Sequence, residues 1–186
     1  INTILKETYG YEQFRNLEIY DDLSKGKEKL CISQGQLIEN VILEAEKAWK
    51  GETQVDNILL TAPTGSGKSL LFQLPAIYLG KEYNLLTIVV SPLKALIVDQ
   101  VESLQELGYT RVAYASSDLS PEQKMEVYRQ VREGEIDLFY LSPELLLSYD
   151  IKHFVGERRI GLVVVDEAHT VTTWGKEFRV DYWFLG

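Results

Sequence analysis

The chain has 186 residues, of which 45% are hydrophobic and 25% charged, and its formal net charge is −9. This size suits an α/β domain with a sizeable core, and the acidic balance argues mildly against a protein that coats nucleic acid electrostatically. No apolar run approaches the roughly 18 residues of a membrane-spanning helix, and the first residues are too polar for a secretory signal peptide. Because Cys31 is the single cysteine, no internal disulfide is possible, and we expect a cytoplasmic protein, or a nuclear one in a eukaryote.

Helices and strands are predicted to alternate after residue 33. The first 33 residues are rich in charged and aromatic side chains, with an exposed loop expected over residues 21–30. Helical spacing of apolar residues and the signals of helix ends predict helices over residues 34–50, 67–79, 93–107 and 121–132. Apolar runs predict five strands, over residues 56–62, 86–91, 111–116, 136–142 and 160–166. Continuous apolar strands separated by helices predict an α/β fold with a parallel sheet.

A glycine-rich segment joins the first predicted strand to the next helix. It reads TAPTGSGKSL over residues 61–70, and its glycines let the backbone curl so that several N–H groups point at one anion. The helix N-terminus favours negative charge at the same place. In this pattern Lys68 reaches the β- and γ-phosphates of a nucleotide, and the Ser69 hydroxyl ligates Mg²⁺. We therefore predict binding of ATP with Mg²⁺, and the nucleotide-binding residues are expected to be Thr64, Gly65, Ser66, Gly67, Lys68 and Ser69.

Two adjacent carboxylates, Asp166 and Glu167, end the last predicted strand. Acids at a buried strand end are costly unless they face a cation or water. We expect Asp166 to hold Mg²⁺ and Glu167 to orient the attacking water or accept its proton, with His169 on the γ-phosphate side. The alternative is a solvated helix N-terminus, where acids are also favourable.

Taken together, these motifs resemble the RecQ-type DNA helicases of superfamily two. The similar segments are YGYEQFR at residues 9–15, APTGSGKS at 62–69, VVSPLKALIVDQV at 89–101, LSPELLL at 141–147 and DEAHTVTTWGKEFRVDY at 166–182. The last is the most specific, because a DEAH box is followed by Trp-Gly-x-x-Phe-Arg-x-x-Tyr. The resemblance implies a RecA-like P-loop NTPase domain with a mainly parallel sheet of five to seven strands, flanked by helices. It also implies ATP, Mg²⁺ and single-stranded or forked DNA as ligands.

The resemblance also implies residues that recognise the nucleotide base. Tyr11 resembles the residue that stacks on adenine, and Arg15 and Gln36 resemble polar residues that contact the base. In the family, Phe-Arg runs almost directly into Pro-Gly-Gln, whereas residues 16–33 separate the two parts here. Either the base pocket carries an insertion, or one half of the assignment is wrong. The alternative for Gln36 is a solvated glutamine at the start of a helix.

A second group of residues is implied to contact DNA. Ser91 and Lys94 resemble a strand-end motif that lines the DNA path. Residues 172–179 resemble an aromatic-rich loop that senses single-stranded DNA, which assigns DNA contacts to Trp174, Phe178 and Arg179. Aromatic rings can stack on any base, although packing in the core is the alternative for Trp174 and Phe178.

A helicase motor of this kind needs two RecA-like lobes with ATP between them. We predict an N-terminal extension with the base-recognition segment over residues 1–33 and a first, truncated RecA-like lobe over residues 34–186. The second lobe is expected in a longer chain, and the first lobe alone is expected to hydrolyse ATP poorly. The predicted function is that of the ATP-binding lobe of an ATP-dependent DNA helicase or translocase. The alternative is a P-loop NTPase of another kind, an RNA helicase or a nucleotide-dependent switch, without DNA unwinding.

Overall fold

The structure is a computed structural model that describes residues 1–20, 29–61 and 65–168. It divides into two compact units, Ile1–Glu82 and the part that begins at Tyr83. In the described ranges, no helix has both the length and the apolar character needed to cross a bilayer.

The first unit combines helices with a two-stranded antiparallel sheet. Its elements are α1 (Asn2–Tyr9), β1 (Asn16–Tyr20), β2 (Lys29–Ser33), α2 (Gln34–Trp49) and α3 (Leu70–Tyr83). Helix α2 begins at Ser33, whose Oγ accepts a hydrogen bond from Gly35 N–H at 3.1 Å. Its Ile38, Ile42 and Ala45 are buried, at the spacing of one face of a helix.

The second unit is built on a four-stranded parallel sheet in the described part of the chain, with the strand order β4-β5-β3-β6. All residues of β3 and β5 are buried, as expected for inner strands of a covered parallel sheet. The core includes Phe139 and Leu141 from β5 together with Tyr128 from α5 and Phe154 from α7. The elements are β3 (Leu86–Val90), α4 (Lys94–Glu106), β4 (Val112–Ala115), α5 (Pro121–Arg132), β5 (Leu138–Leu141), α6 (Pro143–Ser148), α7 (Ile151–Val155) and β6 (Ile160–Val165).

The α/β class with a parallel sheet is confirmed, but one predicted strand is wrong. Residues 56–61 have no regular secondary structure, and Leu59 is 83% exposed. A strand needs the backbone groups of a neighbouring strand, whereas an apolar run reports composition alone. In this segment the N–H of Asp56 donates instead to the Glu44 carboxylate at 2.9 Å. The described sheet therefore has four strands, fewer than the five to seven predicted.

Candidate functional site

The residues that separate the Phe-Arg segment from the Gln-Gly-Gln segment begin with β1 and end with β2, and these two strands pair as an antiparallel hairpin. Asn16 pairs with Ser33 across the β1–β2 ladder. The N–H of Gln34 donates to the Arg15 carbonyl at 2.9 Å, and the N–H of Arg15 donates to Gln34 Oε1 at 3.2 Å. The two halves of the interrupted motif thus meet, which favours an insertion in the base pocket over a wrong assignment.

The candidate base-recognition residues lie near this junction in the sequence and are exposed. Tyr11 is 51% exposed and its ring stacks on Tyr9, with the ring centroids 6.3 Å apart. Arg15 and Gln36 are also exposed. Gln36 Oε1 accepts a hydrogen bond from the N–H of Ser33 at 3.1 Å, which closes the capping box of α2. Gln36 therefore has a structural role at the helix start, while contact with a base stays a prediction.

The glycine-rich loop runs directly into the N-terminus of α3. Gly65 and Gly67 have φ values of 79° and 81°, in the left-handed region that only glycine adopts at little cost. Lys68 and Ser69 are half-buried, and Ser69 O accepts a hydrogen bond from the N–H of Gln73 at 2.9 Å. The loop therefore ends in the first turn of a helix, where backbone N–H groups without helical partners favour an anion.

Gln34 lies between the loop and the hairpin junction, and it is not among the predicted site residues. It is 3% exposed, and its Nε2 donates to the carbonyl of Ser66 at 3.3 Å. A Cβ atom added at Gly67 would lie 2.7 Å from that Nε2. The only sequence signal for Gln34 was the interrupted spacing of the Phe-Arg and Gln-Gly-Gln segments.

In the second unit, Asp166 and Glu167 follow β6 at the carboxyl edge of the sheet. The N–H of Asp166 donates to the carbonyl of Val90 at 2.9 Å, and the N–H of Glu167 donates to Asp166 Oδ1 at 2.9 Å. Both acids are half-buried. Glu167 has a φ of 52°, a left-handed conformation that is uncommon for residues other than glycine and is enriched at functional sites.

One serine directly follows each of the other three strands of this sheet, β3, β5 and β4. The N–H of Ser91 donates to Leu141 O at 3.1 Å, and the N–H of Ser142 donates to Ala115 O at 3.4 Å. Ser91 is 2% exposed, and its hydroxyl has no hydrogen-bond partner within the described ranges. Such burial gives no support to the predicted DNA contact of Ser91, which stays a prediction.

Lys94 begins α4 and contacts the loop that follows β4. Its Nζ lies 2.5 Å from Ser117 Oγ and 2.9 Å from Asp118 Oδ1. The hydrogen bond from Lys94 lowers the pKa of the Asp118 carboxyl. A second ammonium, that of Lys124, donates to the Ser117 carbonyl at 3.3 Å. Two cations and one acid therefore share this exposed corner, which is suited to a phosphate group.

Five of the predicted site residues lie outside the described residues: Thr64, His169, Trp174, Phe178 and Arg179. Their predicted roles stay predictions. Within the described ranges, no three His, Cys, Asp or Glu side chains come together in a group that could hold a metal ion.

Comparison with known proteins gives the family. Residues 37–184 match the DEAD/DEAH box helicase family. The chain is 30% identical over 184 residues to "ATP-dependent DNA helicase RecQ" of Haemophilus influenzae, covering 99% of this chain and 25% of that protein. It is 40% identical over 183 residues to "ATP-dependent DNA helicase Q-like 5" of Arabidopsis thaliana, covering 98% of this chain and 16% of that protein.

Solved structures show the same fold at lower sequence identity. A hypothetical ATP-dependent RNA helicase from Sulfolobus tokodaii superposes with a TM-score of 0.59 at 21% identity, covering 81% of this chain and 40% of that one. The DUF1998 helicase MrfA, solved with DNA and AMPPNP, gives a TM-score of 0.54 at 19% identity, covering 91% of this chain and 26% of that one. The chain thus spans a quarter or less of the two RecQ-type relatives named above. Because the family match covers most of its length, the chain belongs to the DEAD/DEAH box helicases.

Proposed function

We propose that this chain is the ATP-binding lobe of an ATP-dependent DNA helicase or translocase, which couples ATP hydrolysis to movement along single-stranded DNA. The main support is the loop with left-handed Gly65 and Gly67 at the N-terminus of α3, in a chain of the DEAD/DEAH box family. The RecQ names of its relatives favour DNA over RNA. A second RecA-like lobe of the same protein completes the proposed motor.

We assign the chemistry of hydrolysis to residues of both motifs. Lys68 binds the phosphates, Glu167 orients the attacking water, and His169 acts on the γ-phosphate side. The Ser69 hydroxyl and the Asp166 carboxylate are hard oxygen donors that fit Mg²⁺, which takes few protein ligands beside substrate phosphates. Bound Mg²⁺ supplies positive charge to the phosphate oxygens.

The remaining assignments concern the base, the DNA and the wider protein. Tyr11, Arg15 and Gln36 recognise the base, and the exposed ring of Tyr11 supports stacking on adenine. Residues 1–33 serve as the extension that carries this segment, and residues 34–186 form the lobe. We place the protein in the cytoplasm, or in the nucleus of a eukaryote, where its thiol stays reduced. The DNA-contacting residues are Ser91, Lys94, Trp174, Phe178 and Arg179.

The test of this function is the ATPase rate of the full-length protein with and without single-stranded DNA. We expect single-stranded DNA to raise the rate several-fold and single-stranded RNA to raise it less. A rate that no nucleic acid changes would favour the nucleotide-dependent switch, and stimulation by RNA alone would favour an RNA helicase. Lys68→Ala serves as the control, because losing the ammonium at the phosphates should remove hydrolysis under every condition.

Lys94→Ala should weaken binding of single-stranded DNA by the full-length protein. Each phosphate contact that is lost lowers the slope of log affinity against log salt by about 0.7, so a salt titration of fluorescence anisotropy measures the effect. Asp118→Asn should act in the opposite direction and tighten binding, because it removes the carboxylate that competes with phosphate for Lys94.

The pH dependence of this comparison follows from the lowered pKa of the Asp118 carboxyl in the natural protein. Because the hydrogen bond from Lys94 lowers that pKa, the carboxylate stays charged even near pH 4, where an ordinary aspartate is about half protonated. The difference in DNA affinity between the natural protein and Asp118→Asn should therefore persist from neutral pH down to about pH 4, and it should be lost at lower pH, where the natural carboxyl protonates. Lys152→Ala, at an exposed lysine of α7, is the matched control. Equal effects of Lys94→Ala and Lys152→Ala would rule out a specific contact at Lys94.

A further inference from the structure

We propose that Gln34 is a positioning residue for nucleotide binding, which holds the phosphate loop in shape through its buried carboxamide. This inference rests on the proposed function of the loop in binding ATP. Gln34 stands outside the glycine-rich motif, and it reaches the loop because the β1–β2 hairpin brings the chain back beside Arg15.

Both polar atoms of the Gln34 carboxamide form hydrogen bonds, and both partners are backbone groups. Oε1 accepts from the N–H of Arg15 at 3.2 Å, and Nε2 donates to the Ser66 carbonyl at 3.3 Å. The side chain is 3% exposed, so water does not compete freely for either bond. One planar group therefore ties the segment that carries Tyr11 and Arg15 to the phosphate loop.

The direction of the Ser66 carbonyl fixes the direction of the next N–H. In a planar trans peptide, the C=O of one residue and the N–H of the following residue point to opposite sides. Because the Ser66 carbonyl points at Gln34, the N–H of Gly67 points away from Gln34. Successive N–H groups held in this way form the concave anion sites of phosphate loops.

Gly67 leaves the space that the carboxamide needs. A Cβ atom on residue 67 would lie 2.7 Å from Gln34 Nε2, closer than such atoms approach, and the φ of 81° would be strained for any side chain. Gln34 and Gly67 are thus matched to each other, and the carboxamide needs its N–H donor on the loop side. A carboxylate at position 34 would place an oxygen against the Ser66 carbonyl and lose that bond.

The experiment compares Gln34→Glu and Gln34→Met with the natural full-length protein. Gln34→Glu keeps the acceptor for Arg15 and removes the donor to Ser66, and Gln34→Met keeps the approximate volume and removes both. We expect the Kd for a fluorescent ATP analogue and the KM for ATP to rise about tenfold, as the loss of one buried hydrogen bond produces. The kcat should change far less, because bound phosphates restore the loop.

The controls separate positioning from a general loss of structure. Gln105→Glu makes the same chemical change at an exposed position of α4, and it should leave Kd, KM and kcat unchanged. The melting temperature without nucleotide should fall only slightly in Gln34→Met, which buries no charge, and the affinity for DNA should stay close to the natural value in both Gln34 variants. If nucleotide binding falls only in step with the melting temperature, Gln34 has a structural role and the proposal is wrong.

The outcomes also separate this inference from the proposed function. Unchanged Kd and KM in both Gln34 variants, in a protein whose natural form hydrolyses ATP with DNA, would overturn the inference alone. A raised Kd in the variants of a protein whose hydrolysis ignores DNA would support the inference and overturn the proposed motor. A natural protein that binds no nucleotide would overturn both.

Discussion

Glu167→Gln in the full-length protein should lower the rate of ATP hydrolysis by about 10²- to 10⁴-fold, the usual contribution of a positioned proton acceptor. Glutamine has nearly the same shape and can adopt the same backbone conformation, but its amide cannot take a proton from water. ATP binding should persist, because the phosphate contacts that we assign to the loop are unchanged. Steady-state ATPase assays and binding of a fluorescent ATP analogue measure the two effects separately.

Glu157→Gln is the matched control for this change. Glu157 is an exposed residue between α7 and β6, away from the strand end that carries Glu167, so its substitution should leave hydrolysis unchanged. An ATPase rate that stays at the natural level in Glu167→Gln would remove the catalytic assignment. A simultaneous loss of ATP binding would instead show that the Glu167 carboxylate contributes to binding the nucleotide.

The second large effect is expected at Asp137, where Asp137→Ala should lower the free energy of unfolding by about 3–5 kcal/mol. The Asp137 side chain is 1% exposed and forms ion pairs with Arg111 at 2.5 Å and Arg158 at 2.8 Å. The Arg158 side chain is itself only 5% exposed. Without the carboxylate, a buried guanidinium would lose its counter-ion, and that uncompensated charge accounts for most of the cost.

Urea-induced unfolding followed by circular dichroism measures the effect in the full-length protein, by the shift in the transition that contains this sheet. Asp137→Asn keeps the volume and should also destabilise, so the pair of variants separates charge from packing. Asp118→Ala removes an acid from an exposed ion pair, whose side chains are 40% and 69% exposed, and should leave the midpoint nearly unchanged. A loss below about 1 kcal/mol in Asp137→Ala would contradict the argument.

The parts of the fold that could be predicted are those with local signals. Helix α5 spans Pro121–Arg132 as predicted, because Ser120 caps it and Pro121 occupies its first position. The hairpin β1–β2 was missed because strand pairing depends on a partner elsewhere in the chain. The strand over residues 56–62 was predicted from apolar composition, which cannot show whether such a partner is present.

The same difference between local signals and contacts of distant segments applies to the candidate site. The motifs predicted which residue types lie at the carboxyl edge of the sheet and at the start of α3, since parallel strands and helix N-termini fix those positions. They could not predict Gln34, which meets Ser66 across 32 residues, or Asp118, which meets Lys94 across 24. Such contacts arise only when distant segments pack together.

The closed base of the β1–β2 hairpin makes the segment between Arg15 and Gln34 tolerant of changes in length. Paired residues of an antiparallel ladder, such as Asn16 and Ser33, lie about 5.5 Å apart, and consecutive residues lie about 3.8 Å apart, so one or two glycines could join Asn16 to Ser33 and leave the cap of α2 intact. Related proteins can therefore have a longer or shorter segment here without any movement of Arg15 or Gln34 at the base of the hairpin. The same geometry offers protein engineers a site for inserting a reporter peptide.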